Sequence, residues 1–157
     1  MDDLIARKMQ KADLGVVVGL LADDELGQSR EDKARVVHAD YLRAFEQIDS
    51  DENQYAAIFE INGKTIGCLQ ITFIPGLSRR GSMRGQIEGV RISLDFRGKG
   101  YGSKMIAWAI TVCRDRGCRL VQLTSDKKRD NAIQFYEKLG FVKSHEGFKL
   151  TLADNLE

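Results

Sequence analysis

At 157 residues, with 43% hydrophobic and 30% charged positions, the chain is long enough for one domain with a sizeable core and lacks the bias of disordered or fibrous proteins. A net charge of +1, from 24 Lys and Arg against 23 Asp and Glu, argues against a general nucleic-acid binder, which carries a basic excess; the local exceptions are Arg79, Arg80 and Arg84, and Lys127, Lys128 and Arg129. Cys68, Cys113 and Cys118 contain no C-x-x-C pair, so they indicate neither a disulfide framework nor a zinc site and read as reduced thiols of a cytoplasmic protein.

Residues 4–9 suit a short first strand, and Asp13 is placed to cap a helix through the apolar run 14–22 that ends near Gly27. That run is far short of a membrane span, and the acidic residues at both its ends fit a capped helix better than a signal segment, so no membrane partner is expected. Ser29-Arg30-Glu31-Asp32 has the S/T-x-x-D/E shape of a capping box and opens a second helix to about Ile48, with Val37, Tyr41, Ala44 and Ile48 along one side. Residues 55–61 and 64–74 flank Asn62-Gly63, a tight-hairpin signal because both turn residues tolerate positive φ. In the second arm Gly67, Leu69, Ile71 and Phe73 share a face. Pro75-Gly76 stops that arm, and residues 77–85 form a longer loop than a hairpin needs.

Residues 86–113 then read as strand, glycine loop and helix. Regular alternation puts Val90, Ile92 and Leu94 on one strand face with Glu88, and Ile87, Gly89, Arg91 and Ser93 on the other, so a carboxylate falls in line with apolar residues. The loop that follows has glycines at 98, 100 and 102 and leads into Tyr101, Met105, Trp108 and Val112, spaced as on one side of a helix. Glycines admit close approach of a ligand, and the first turn of a helix offers unpaired N–H groups and a favourable dipole, so a phosphate or pyrophosphate suits this loop. The dinucleotide pattern G-x-G-x-x-G fails, because Ser103 stands where a third glycine is needed, or Met105 if the count starts at Gly100. The Walker pattern G-x-x-x-x-G-K-S/T fails because Ser103, not Lys, follows Gly102. Further on, Gly117 is placed to end the helix and residues 119–124 suit a fifth strand. Asp130 can cap a helix carrying Ile133, Tyr136 and Leu139 that stops at Gly140, and residues 142–144 and 148–152 suit a last hairpin.

A third pattern, Q/R-x-x-G-x-G/A, is met in full by Arg97, Gly100 and Gly102, and some thirty residues later comes Asn131-Ala132-Ile133-Gln134-Phe135-Tyr136-Glu137-Lys138-Leu139-Gly140-Phe141. Together with Ile87-Glu88-Gly89-Val90-Arg91-Ile92 before the loop, about the C-terminal half of the chain resembles the GCN5-related N-acetyltransferases, the GNAT superfamily. Leu94 departs from that pattern, standing where many members have proline. The resemblance implies an α/β (α+β) fold in a single domain over residues 1–157, with a mixed, twisted sheet of six or seven strands and about four helices. It implies transfer of an acetyl group from acetyl-CoA to a primary amine by direct attack through a tetrahedral intermediate. A non-catalytic acyl-CoA binding or sensing module is the alternative.

An amine of lysine-like pKa is protonated at neutral pH and cannot attack, so a base is needed. The resemblance gives that role to Glu88, whose structural reading is a carboxylate paired with Arg84 or Arg91. It makes Tyr136 the acid that protonates the leaving thiolate, against a core tyrosine beside Phe135. Arg97, Gly98, Lys99, Gly100, Tyr101, Gly102 and Ser103 would hold the pyrophosphate; the strand stretch Val90, Arg91 and Ile92 would hold the pantetheine and thioester. Asn131 would bond the pantetheine arm or simply start its helix. The acceptor is a small-molecule or protein amine, nucleic acid and membrane are not expected as partners, and the chain works alone or as a homodimer. His38 and His145 have no second ligand at metal spacing and Cys68 has no His in a suggestive pattern, so neither a metal nor an acetyl-cysteine is expected. Met105 and Trp108 read as core, and Asp23, Asp24, Glu25, Glu31 and Asp32 as a solvated face.

Overall fold

The Asn62-Gly63 turn sets the sheet. Both residues lie in the left-handed region, at φ 50° and 75°, the pair of positive angles a two-residue hairpin needs. On either side β2 (Gln54–Ile61) and β3 (Lys64–Ile74) pair antiparallel. The computed structural model describes residues 3–23 and 38–152, which fall in two compact units, 1–123 and 124–157. In the first, β1 (Ile5–Lys8) lines the outer edge of β2, β4 (Arg84–Ile92) runs antiparallel to β3, and β5 (Leu120–Leu123) runs parallel to β4. The order is therefore β1-β2-β3-β4-β5. The parallel step requires a crossover, supplied by α4 (Tyr101–Asp115).

Among the described residues five strands stand where six or seven were expected. The last hairpin does not form: residues 142–152 have no strand, and Val142, Phe148, Leu150 and Leu152 are 81–95% exposed. A two-stranded hairpin is marginal unless a third strand or a helix covers its apolar face, and these side chains have no such cover.

One face of the sheet carries α1 (Leu14–Ala22) and α2 (Ala39–Ser50). Leu14, Leu20 and Phe45 bury there with Met9, Ala56, Ile58 and Cys68, and Tyr41, Leu42 and Ile48 pack against them. α1 ends at Ala22 rather than near Gly27, and the capping box at Ser29 lies outside the described residues. Asp13 precedes α1, but its carboxylate does not cap the helix. It accepts two hydrogen bonds from Arg7, at 2.7 and 2.8 Å, and one from the Gln10 N–H at 2.7 Å. Arg7 also reaches Glu60 on β2 at 2.7 Å. His38 starts α2, its Nδ1 accepting from the Asp40 N–H at 3.2 Å.

The other face packs on α4. A Cβ at Gly67 would sit 2.9 Å from Met105 Sδ, and one at Gly85 only 2.4 Å from Cys113 Sγ, so the helix approaches the sheet as closely as it does only because both positions lack a side chain. Trp108 meets Phe59 and Tyr55 edge-on, with ring centroids 5.2 and 5.6 Å apart. Between β3 and β4, α3 (Ser78–Gly81) is a single turn with Arg79 and Arg80 in the left-handed region. The second unit contains α5 (Asp130–Lys138), capped by Arg129, one residue before the expected Asp130.

Candidate active site

The site grows from an irregularity in β4. Ile87 is opposite Ile71, both are buried, and both belong to the α4 face. Further along, Gln70 pairs with Glu88 and Cys68 with Arg91, so two steps on β3 are met by three on β4. This is a β-bulge, with Gly89 at φ 60° supplying the left-handed residue. The extra residue inverts the alternation. Arg91 joins Glu88 on the α1–α2 face, opposite Cys68 and Gln70, while Ile92 rejoins Ile87 on the α4 face. The expected line of Glu88 with Val90, Ile92 and Leu94 is therefore not formed, and the apparent conflict of a carboxylate among apolar residues disappears. Leu94 has left the strand for a short 3₁₀ turn and is exposed. A glycine inside a strand pattern is the signal that foreshadows such a bulge.

Glu88 is exposed. Behind it the Cys68 thiol donates to the Gly89 carbonyl at 3.7 Å. Burial pushes that thiol up to about 12, so it is a protonated donor bracing the bulge and no nucleophile.

β5 accompanies β4 only from Arg84 to Ile87. β5 ends at Leu123, opposite Ile87, so the β4–β5 ladder stops there and the Glu88–Ile92 stretch pairs only with β3. The Ser93 N–H donates to the Ile66 carbonyl at 2.8 Å, so Ile92, one residue earlier, turns its own N–H and C=O to the opposite, open edge. Its carbonyl accepts from Arg97 Nε at 2.9 Å, and the Val90 carbonyl accepts from Arg91 Nη1 at 2.8 Å. Arg97 Nη2 also reaches the Asp23 carbonyl at 3.3 Å. The Arg97 side chain thus ties the loop to β4 and to the end of α1.

In the loop, Gly98 and Gly100 have φ 72° and 83°, angles that favour glycine. A Cβ at either would meet nothing within 4 Å, so the surface over them is open. Gly100 caps α4, and the first helical bond runs from the Lys104 N–H to the Gly100 carbonyl at 3.4 Å. Among the described residues the N–H groups of residues 98–103 make no hydrogen bond. A row of free donors at the positive end of a helix fits a pyrophosphate. Lys99 Nζ lies 5.4 Å from the Phe96 ring and Lys104 Nζ 5.9 Å from the Tyr101 ring, while Tyr101 itself is buried and anchors α4.

In the second unit, Asn131 is exposed in the first turn of α5, and a depression of about 420 Å³ lined by Lys128, Arg129, Asp130, Asn131 and Ala132 opens there. Tyr136 is half-buried, its ring 5.1 Å from Phe135 and 5.9 Å from Phe141, both edge-on. His145 meets the Ser144 hydroxyl at 2.7 Å. Among the described residues no helix is long and apolar enough to cross a membrane.

Residues 21–141 match the acetyltransferase (GNAT) family. An uncharacterised N-acetyltransferase of Methanocaldococcus jannaschii is 34% identical over 86 residues, 54% of this chain and 37% of that one. An aminoalkylphosphonate N-acetyltransferase of Salmonella typhimurium is 29% identical over 103 residues, 66% of this chain and 65% of that one. The matches thus span between about a third and two-thirds of these relatives' lengths. Among solved structures, a transcriptional regulator of Bacillus halodurans is similar with a TM-score of 0.92 and 43% identity, over 96% of this chain and 100% of that one.

Proposed function

Since the chain belongs to the acetyltransferase (GNAT) family, we propose that it transfers an acetyl group from acetyl-CoA to a primary amine. The observation that carries this reading is the set of unbonded N–H groups over residues 98–103, which opens α4 shortly after the stretch of β4 that holds Glu88 and pairs on one edge only. When bound, acetyl-CoA supplies the acetyl group already activated as a thioester. The N–H groups of Gly98, Lys99, Gly100, Tyr101, Gly102 and Ser103 hold its pyrophosphate, and the positive end of α4 offsets the charge. The open edge of β4 at Val90, Arg91 and Ile92 holds the pantetheine arm.

At pH 7 an amine of pKa near 10.4 is only about 0.04% neutral. The Glu88 carboxylate therefore takes the amine's proton, directly or through a water. Tyr136 Oη gives a proton to the departing sulfur, a role that rests on the family's pattern around Asn131 and Tyr136. The relatives named above are N-acetyltransferases, one of them acting on aminoalkylphosphonates, which supports a small-molecule amine as acceptor.

A second reading, an acyl-CoA-sensing module without turnover, is favoured by the likeness to a transcriptional regulator. Release of free thiol from acetyl-CoA, measured with a panel of primary amines, separates the two. Turnover with any amine supports the transferase; tight binding of acetyl-CoA by calorimetry with no thiol released across the panel supports the sensor.

A further inference from the structure

On the α1–α2 face the apolar core ends at Ala56 and Cys68, and the next residues on that face are polar. Gln54 pairs with Thr72, Thr72 with Gln86, and Gln86 with Gln122. The register thus aligns one polar residue from each of four strands, and residues directly opposite one another share a face. At about 4.8 Å per strand the row is about 15 Å long. Gln70 and Glu88 form the adjoining rung. Gln54, Gln70, Thr72, Gln86 and Gln122 are all half-buried.

Hydrogen bonds along the row set the amide orientations. Gln70 Nε2 and Thr72 Oγ1 both donate to Gln54 Oε1 at 2.9 Å, and Gln122 Nε2 donates to Gln86 Oε1 at 2.6 Å. Gln54 and Gln86 keep Nε2 as an unused donor, and Gln70 and Gln122 keep Oε1 as an unused acceptor, among the described residues. Within the row the groups are neutral; beside it on β4, two residues either side of Gln86 and on the same face, stand Arg84, with its Nη1 close to Gly76, and Glu88.

We propose that this row is the floor on which the acceptor lies, and that the acceptor is a primary amine on a hydroxyl-rich skeleton, as in an amino sugar. A hydroxyl both donates and accepts, so it pairs with either kind of free amide arm. A hydrocarbon skeleton would leave those arms unmatched. The Gln70–Glu88 rung joins the floor to the base. The proposal rests on the acetyltransferase reading for its chemistry, though its binding part stands apart from turnover.

The probes are glucosamine, cyclohexylamine, which keeps a six-membered ring and loses the hydroxyls, and tri-alanine. Thiol release gives kcat/KM for each with the wild type, Gln86→Leu and Gln122→Leu. The readout is how far each substitution changes the glucosamine-to-cyclohexylamine ratio, since a fold defect lowers both rates together and the amines' different basicities cancel. The ratio should fall about tenfold in each variant. Side-chain amide resonances of the ¹⁵N-labelled protein supply a readout without turnover: glucosamine should shift those of Gln54 and Gln86, and cyclohexylamine should not. An unchanged ratio, or turnover of cyclohexylamine or tri-alanine with no shift by glucosamine, overturns the floor and leaves the transferase reading intact. Amide shifts without thiol release from any amine uphold the floor and overturn the transferase reading; neither shifts nor release overturns both.

Discussion

Glu88 owes its surroundings to the residue after it. With Gly89 at φ 60° the strand gains a residue, and the carboxylate shares its face with Gln70, Gln86 and Arg91 rather than with Val90 and Ile92. An exposed carboxylate beside a row of neutral amides is free to take a proton from an amine delivered there. On the proposed reading, Glu88→Gln preserves the shape and removes the base. Its turnover should drop on the order of a hundredfold at pH 7 and recover as pH rises toward the amine's own pKa, where neutral amine no longer needs to be generated. Rates measured from pH 6 to 10 decide this, and a wild-type profile would leave Glu88 a structural residue.

At the scale of elements, the loop and α4 act as one device. Gly100 is both the cap of α4 and a left-handed residue at φ 83°, with open space where a Cβ would lie. Valine there would strain the backbone by roughly 1–2 kcal/mol, the cost of a left-handed conformation for a residue with a Cβ, and would project methyl groups over the free N–H row. Because nothing packs on that spot, the fold should survive. Gly100→Val should melt within a few degrees of wild type and bind acetyl-CoA at least tenfold more weakly by calorimetry. Undiminished affinity would remove the pyrophosphate from this loop.

Across the molecule, one charge network joins β1, the start of α1 and β2. Arg7 bonds both Asp13 and Glu60, and the Asp13 carboxylate is only 13% exposed. The hydrogen bond from Arg7 holds the Asp13 carboxyl below its usual value of 3.8, against the opposing effect of burial. A folded-state pKa below the unfolded one means stability that is present above about pH 4 and is lost as pH falls through the folded value. Asp13→Asn should therefore cost about 1–3 kcal/mol at pH 7 by urea unfolding, and the gap to wild type should narrow at pH 3. A gap equally wide at both pH values would show that the carboxylate's charge is not what stabilises the network.

Short-range chemistry was legible in the chain itself. Asn62-Gly63 demanded a hairpin because two adjacent residues tolerate positive φ, and glycines at 98 and 100 followed by a helix-period run announced, from neighbours alone, a loop that opens a helix. What needed two strands at once was not legible. Alternation is a count along one chain, whereas register belongs to a pair, so the reversal of faces after Gly89 follows only from how β4 lies against β3. The same holds for the end of the β4–β5 ladder at Ile87. It holds most of all for the row of Gln54, Thr72, Gln86 and Gln122, whose members are separated by up to 68 positions in sequence (122 − 54). Residues 142–152 carry enough apolar side chains to suggest strands, yet a strand exists only where a partner satisfies its main chain and covers its side chains, and whether that partner is present is decided by the tertiary structure.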